Sequence, residues 1–254
     1  MRNWVGFKTM LRHEVERMFK TPAQSFFPPI ISSVLFILIF GFFIGDHVAQ
    51  IEGTEFVQFF IPGLIMMNVI ITAYSSTAFS LFLKRFLKDI NDLLVTPLSY
   101  SEIVLGFVTG GIVRALIVGT AIYLIAQLFT PLPLHNFFLF LFFMTAVSLI
   151  FSCLGILIGL WAETFEQVEI FTVFLITPLT FLGGVFHSIK LLPSLFQQLS
   201  FLNPLFYMID GLRYAILGKA DGNIWLGILI VSLLGIILFY ANMQAFKKGW
   251  KLRT

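Results

Sequence analysis

Six runs of this chain, residues 26–45, 57–83, 103–130, 137–160, 169–187 and 223–245, are apolar over the length that a helix needs to cross a bilayer. Crossing about 30 Å of hydrocarbon at 1.5 Å per residue takes about 20 mostly apolar residues. That constraint predicts an all-α polytopic membrane protein, with residues 1–254 forming a single transmembrane domain of six helices. Composition agrees, since only 11% of residues are charged against 58% hydrophobic, and a soluble domain carries about 25% charged residues.

An even number of spans places both termini on one side, and the basic residues say which. Arg2, Lys8, Arg12, Arg17, Lys20, Lys84, Arg85, Lys88, Lys247, Lys248, Lys251 and Arg253 would share a face with the termini, whereas only Lys190, Arg213 and Lys219 lie opposite. Basic loops stay on the cytoplasmic side, so both termini are expected there. The stretch WAETFEQVE falls on the same side despite its three glutamates, which contribute little to orientation. Residues 1–24 read as an amphipathic helix lying in the membrane interface, with Trp4, Phe7, Leu11, Val15 and Met18 on one face and Lys8, Arg12, Glu16 and Lys20 on another. Their long charged start, with no small-residue cleavage site after the next apolar run, argues against a signal peptide.

The polar residues inside the spans narrow the function. Asn68, Thr72, Ser75, Ser76 and Ser80 recur at helical spacing, as glue between helices or as the wall of a path or subunit contact. Thr172, Thr177 and Thr180 lie around an expected kink at Pro178 and are a second candidate lining for that path. Gly106 and Gly110, continued by Gly111, Ala115 and Gly119, permit close helix packing. Arg114, inside the third span, either snorkels to the cytoplasmic interface or takes part in a functional ion pair.

Catalytic chemistry finds no support. Cys153 is alone in an apolar context, the histidines at 13, 47, 135 and 187 lack ligand spacing, and neither a phosphate-binding loop nor a G-x-S-x-G nucleophile motif occurs. No metal, no cofactor and no catalytic residue is therefore expected in this chain, and the placement of the basic residues suits a membrane rather than nucleic acid.

Two connections remain. Residues 84–103 join spans two and three on the cytoplasmic side, with a short amphipathic piece before Pro97 that rests on the membrane or docks a soluble partner. Residues 188–221 are too apolar for a surface loop, yet Pro193, Asn203 and Pro204 divide them into pieces too short to cross. They are expected to form external re-entrant or surface-lying helices over 190–218, with Arg213 capping its helix or meeting lipid headgroups and Asp210 as a partner at helical spacing.

This order of parts resembles the ABC-2-type membrane subunits of bacterial ABC exporters, including the short YadH-like permeases. Residues 176–213, ITPLTFLGGVFHSIKLLPSLFQQLSFLNPLFYMIDGLR, are similar to the family's signature at Ile176, Leu179, Leu182, Gly183, Val185, Leu192, Pro193, Pro204, Leu205, Tyr207 and Arg213. The resemblance implies a coupling helix over 86–98, with Lys88, Asp89, Asn91, Asp92, Leu93, Leu94 and Pro97, that docks on a separate ABC ATPase carrying the ATP and Mg. It implies that residues 1–24 are the connecting helix, and that Leu192, Pro193, Pro204, Tyr207 and Arg213 belong to an external gate. It further implies a homodimer in the bacterial inner membrane, among its lipids, exporting an amphipathic, lipid-like or glycan-type substrate. The alternative is a secondary transporter or channel that needs no ATPase, and its usual marks, intramembrane carboxylates and repeats, are missing.

Overall fold

A computed structural model describes residues 4–44, 50–51, 53–90, 95–96 and 98–251. Within them the chain is an all-α polytopic membrane protein. Helix α1 (Trp4–Lys20) and the short α2 (Pro22–Ser25) lead into α3 (Phe27–Leu38), which continues as a π-helical turn over Ile39–Ile44. A two-residue antiparallel ladder, Gln50–Ile51 with Thr54–Glu55, precedes α4 (Phe56–Phe86). Then come α5 (Tyr100–Ala126), α6 (Phe137–Trp161), α7 (Phe165–Ile170), a second π-helical turn (Phe171–Ile176) and α8 (Thr177–Leu182). Helices α9 (Ser194–Leu202), α10 (Pro204–Leu217) and α11 (Ile224–Lys247) complete the order.

Five helices among the described residues are long and apolar enough to cross a membrane: α4, α5, α6, the continuous Phe165–Leu182 stretch and α11. The first expected run is a shorter apolar helix, Phe27–Gly41. Helix α4 is the hub, and Phe60, Ile61, Ile65, Met66, Val69, Ile70 and Ala73 on it have no exposed surface. It lies against α6 because Gly155 and Gly159 leave room for its backbone: a Cβ on Gly159 would sit 2.7 Å from the Ala78 carbonyl oxygen. On α5, Gly111 and Gly119 face the α4 and α6 side chains Thr77, Ser152, Val69 and Met144. Gly106 and Gly110 have a different partner, since they receive Met10 and Glu14 of α1.

Local chemistry sets the helix boundaries. Ser99 and Glu102 form a capping box at the start of α5, and the Thr164 hydroxyl accepts from the Gln167 N–H at 3.3 Å to begin α7. That cap moves the fifth helix back from the expected 169 to 165, so Glu166 and Glu169 lie within the helix rather than in a loop. Pro178 cannot donate to the preceding turn, and just before it the Thr177 N–H reaches Thr172, five residues back, so the expected kink takes the form of a π turn.

The divided segment after α8 forms a 3-10 turn (Ile189–Leu191), α9 and α10. At 14 residues α10 spans only about 21 Å. It is nevertheless buried along its whole length against α4, α6 and α11. Gly211 makes this fit possible, because the Phe143 ring occupies the space where its side chain would be. Helix α11 is peripheral, with Trp225, Leu229, Leu233, Ile236 and Tyr240 exposed.

Candidate functional site

Arg213 sits in the interior at the α10 end of the bundle. Gly184 adopts a φ of +86° in the turn that ends α8, and Gly63 of α4 lets the Val185 backbone approach closely. That turn presents the Gly184 carbonyl to Arg213 Nη2, while Arg213 Nε donates to the Phe59 carbonyl at 3.3 Å. The guanidinium lies 3.8 Å from the Phe59 ring centroid and pairs with Asp210 at 3.6 Å. Asp210 in turn accepts the Asp221 and Gly222 N–H groups, each at 2.9 Å. Burial raises the Asp210 pKa, and Arg213 and those two N–H groups oppose the rise. Arg213 is 1% exposed, so the expectation of a helix cap or of headgroup contact is corrected. The side chain closes an internal network, because its hydrogen-bonding partners come from α4 and the α8 turn. Asp210, the partner expected at helical spacing, does pair with it.

The other candidate gate residues lie along the same divided segment. Tyr207 is buried and donates its hydroxyl to the Phe201 carbonyl at 3.0 Å, Pro204 opens α10, Leu192 is half-buried and Pro193 is exposed. Asn203, between α9 and α10, accepts from the Leu205 N–H and donates to the Leu179 carbonyl at 2.6 Å, tying the segment to α8.

A second arginine has a different setting. Arg114 of α5 lines a cavity of about 400 Å³ between α3, α4 and α5, together with Asn68, Thr72 and Ser75 of α4 and Ser32 and Phe36 of α3. Its Nη2 donates to the Ser25 carbonyl at 3.2 Å, and its buried Nε has no partner. No carboxylate among the described residues lies within ion-pair distance. Of the two readings offered by the sequence, the reach to the Ser25 carbonyl at the end of α2 agrees with snorkelling towards that helix end, and the functional ion pair finds no carboxylate among the described residues. Of the expected path residues, Asn68 and Thr72 meet at the cavity. Ser76 is buried elsewhere on α4, and Thr172, Thr177 and Thr180 are away from it: Thr177 donates to the Thr172 carbonyl and Thr180 to the Thr177 carbonyl.

At the far end of α4, Glu14 of α1 is buried and gathers three partners. Arg17 lies 2.9 Å from it, Lys84 3.3 Å, and the Ser80 hydroxyl donates to it at 3.1 Å. Arg85 donates to the Gly159 and Ala162 carbonyls at the end of α6, where a cation suits the helix dipole. The chain then turns at Lys88, an exposed non-glycine residue with φ of +64°, followed by exposed Asp89 and by Ile90, which is buried with Met10, Ile103 and Phe246. Asn91, Asp92, Leu93, Leu94 and Pro97 lie outside the described residues. Glu14 escaped the sequence reading, although a carboxylate between Met10 and Met18 at four-residue spacing was a signal of burial.

Residues 5–217 match the family model described as ABC-2 type transporter. The chain belongs to that family as a permease subunit, a multi-pass membrane transport component of a kind that works with an ABC ATPase. Among its relatives, the inner membrane transport permease YadH of Escherichia coli (strain K12) is 38% identical over 253 residues, 99% of this chain and 98% of the relative. Nodulation protein J of Sinorhizobium fredii is 27% identical over 82% of this chain and 80% of its own length. Nodulation protein J of Rhizobium meliloti is 21% identical over 97% and 93%.

Proposed function

We propose that this chain is the permease of an ATP-driven exporter in a bacterial inner membrane. Two copies form the path for an amphipathic, lipid-like or glycan-type substrate, and both termini face the cytoplasm with the ATPase. ATP and Mg bind on the ATPase, and its closure shifts the population between two arrangements of the membrane halves. The observation that carries this reading is the Glu14 network. It joins α1 to α4 within one helical turn of the chain reversal at Leu87–Ile90. A push on residues 86–98, the candidate coupling helix, is thereby delivered to α4, the helix that carries Asn68 and Thr72 at the cavity. Residues 1–24 act as the connecting helix beside it, and residues 190–218 close the outer end.

Co-purification with the ATPase and measurement of substrate-stimulated hydrolysis test the reading. Charge reversal at Asp89 and Asp92 together is expected to abolish stimulation while leaving membrane insertion intact. Unchanged transport in that double variant would remove the coupling assignment.

A further inference from the structure

The Arg114 cavity has a charge that the chain does not answer. A guanidinium at this depth in a helix costs several kcal/mol unless it is paired or solvated. Arg114 makes one hydrogen bond, to a neutral carbonyl. The nearby hydroxyls are equally open. Ser33, Thr77, Thr109, Thr145 and Ser148 return their hydroxyls to their own helices, whereas Thr72 and Ser75, beside Arg114, make no hydrogen bond among the described residues. Phe36 of α3 and Leu64 of α4 add apolar surface to the lining, and the outer face of α3 next to it exposes Phe27, Ile31, Leu35 and Ile39 at four-residue spacing.

We propose that this cavity binds the phosphate headgroup of an anionic amphiphile taken from the surrounding bilayer. Arg114 forms the ion pair, Thr72 and Ser75 donate to the phosphate oxygens, and the acyl chains lie along the exposed α3 stripe. The guanidinium suits this ligand, because two of its N–H groups can address two phosphate oxygens at once. Charge complementarity selects the anion, and the exposed apolar stripe of α3 selects an amphiphile over a free ion. The inference rests on the export reading for the purpose of the site, and it identifies the acidic class of substrate or regulatory lipid that the permease holds.

The test uses the full-length chain in nanodiscs of equal parts phosphatidylglycerol and phosphatidylcholine, extracted and washed at high salt to screen the basic residues at the helix ends. Retained lipids are then counted by mass spectrometry. The wild type is expected to retain phosphatidylglycerol over phosphatidylcholine by about tenfold, the effect of one charge-assisted hydrogen bond. Arg114→Gln should erase the preference and Arg114→Lys should keep most of it. Ser75→Phe, which keeps the charge and fills the space, should also lower it. An unchanged preference in folded Arg114→Gln overturns the proposal. Displacement of the retained lipid by inorganic phosphate overturns the lipid assignment, and resistance to phosphate supports it. Neither ATP nor the ATPase enters this measurement, so its failure leaves the export reading standing, and a failure of ATPase stimulation leaves the lipid preference standing.

Discussion

Two arginines inside the same helical bundle have opposite surroundings. Arg213 is met by two carbonyls, an aromatic face and Asp210, and the partners of Asp210 are fixed in turn by the loop before α11. Arg114 has one carbonyl, a free Nε and a cavity. A satisfied buried charge holds elements together, because every group around it has been spent on the fold. An unsatisfied one beside empty space is open to a ligand. The difference separates a structural arginine from a binding one without reference to how deep each lies.

The largest effect expected from breaking this contrast is at the satisfied site. Arg213→Ala leaves Asp210 buried and unpaired, and removing one partner of a buried pair costs about 3–5 kcal/mol. The variant should accumulate poorly and unfold well below the wild type in a thermal melt. Normal assembly would show that the network around Arg213 does not hold these elements together. Arg114→Met is the opposite experiment. Insertion scales place an arginine at a helix centre about 2.5–3.5 kcal/mol above zero, so its loss should leave the melting temperature in place or raise it. A clear drop would show that Arg114 is structural after all. The smallest effect is at another buried charge, Glu14, which keeps Arg17 and Lys84 when Ser80→Ala removes its hydroxyl donor. About 1 kcal/mol or less is expected there, visible as a shift of a few degrees.

How much of this was legible in the sequence follows from the range of each interaction. The apolar runs were legible because bilayer thickness imposes a one-dimensional length on the chain, and the family signature lay within forty contiguous positions. The placement of Arg213 was not, since its carbonyl partners are 154 and 29 residues away. Glycine spacing was visible at 106 and 110, but the partner was not: those residues seat α1, and the close contact between α4 and α6 depends on Gly155 and Gly159. Thr172, Thr177 and Thr180 are candidate path residues on polarity alone. In the structure Thr177 and Thr180 turn inward to their own backbone, a choice that sequence spacing alone does not distinguish from facing water.

The π turn at Phe171–Ile176 has a geometrical consequence for any neighbour of this helix. One extra residue in a turn offsets the angular phase of all that follows by about 100°, so the stripes before and after it do not line up. The Phe165–Leu182 stretch therefore shows one set of side chains to whatever lies beside its first half and another to whatever lies beside its second. It acts as two short rulers joined out of register.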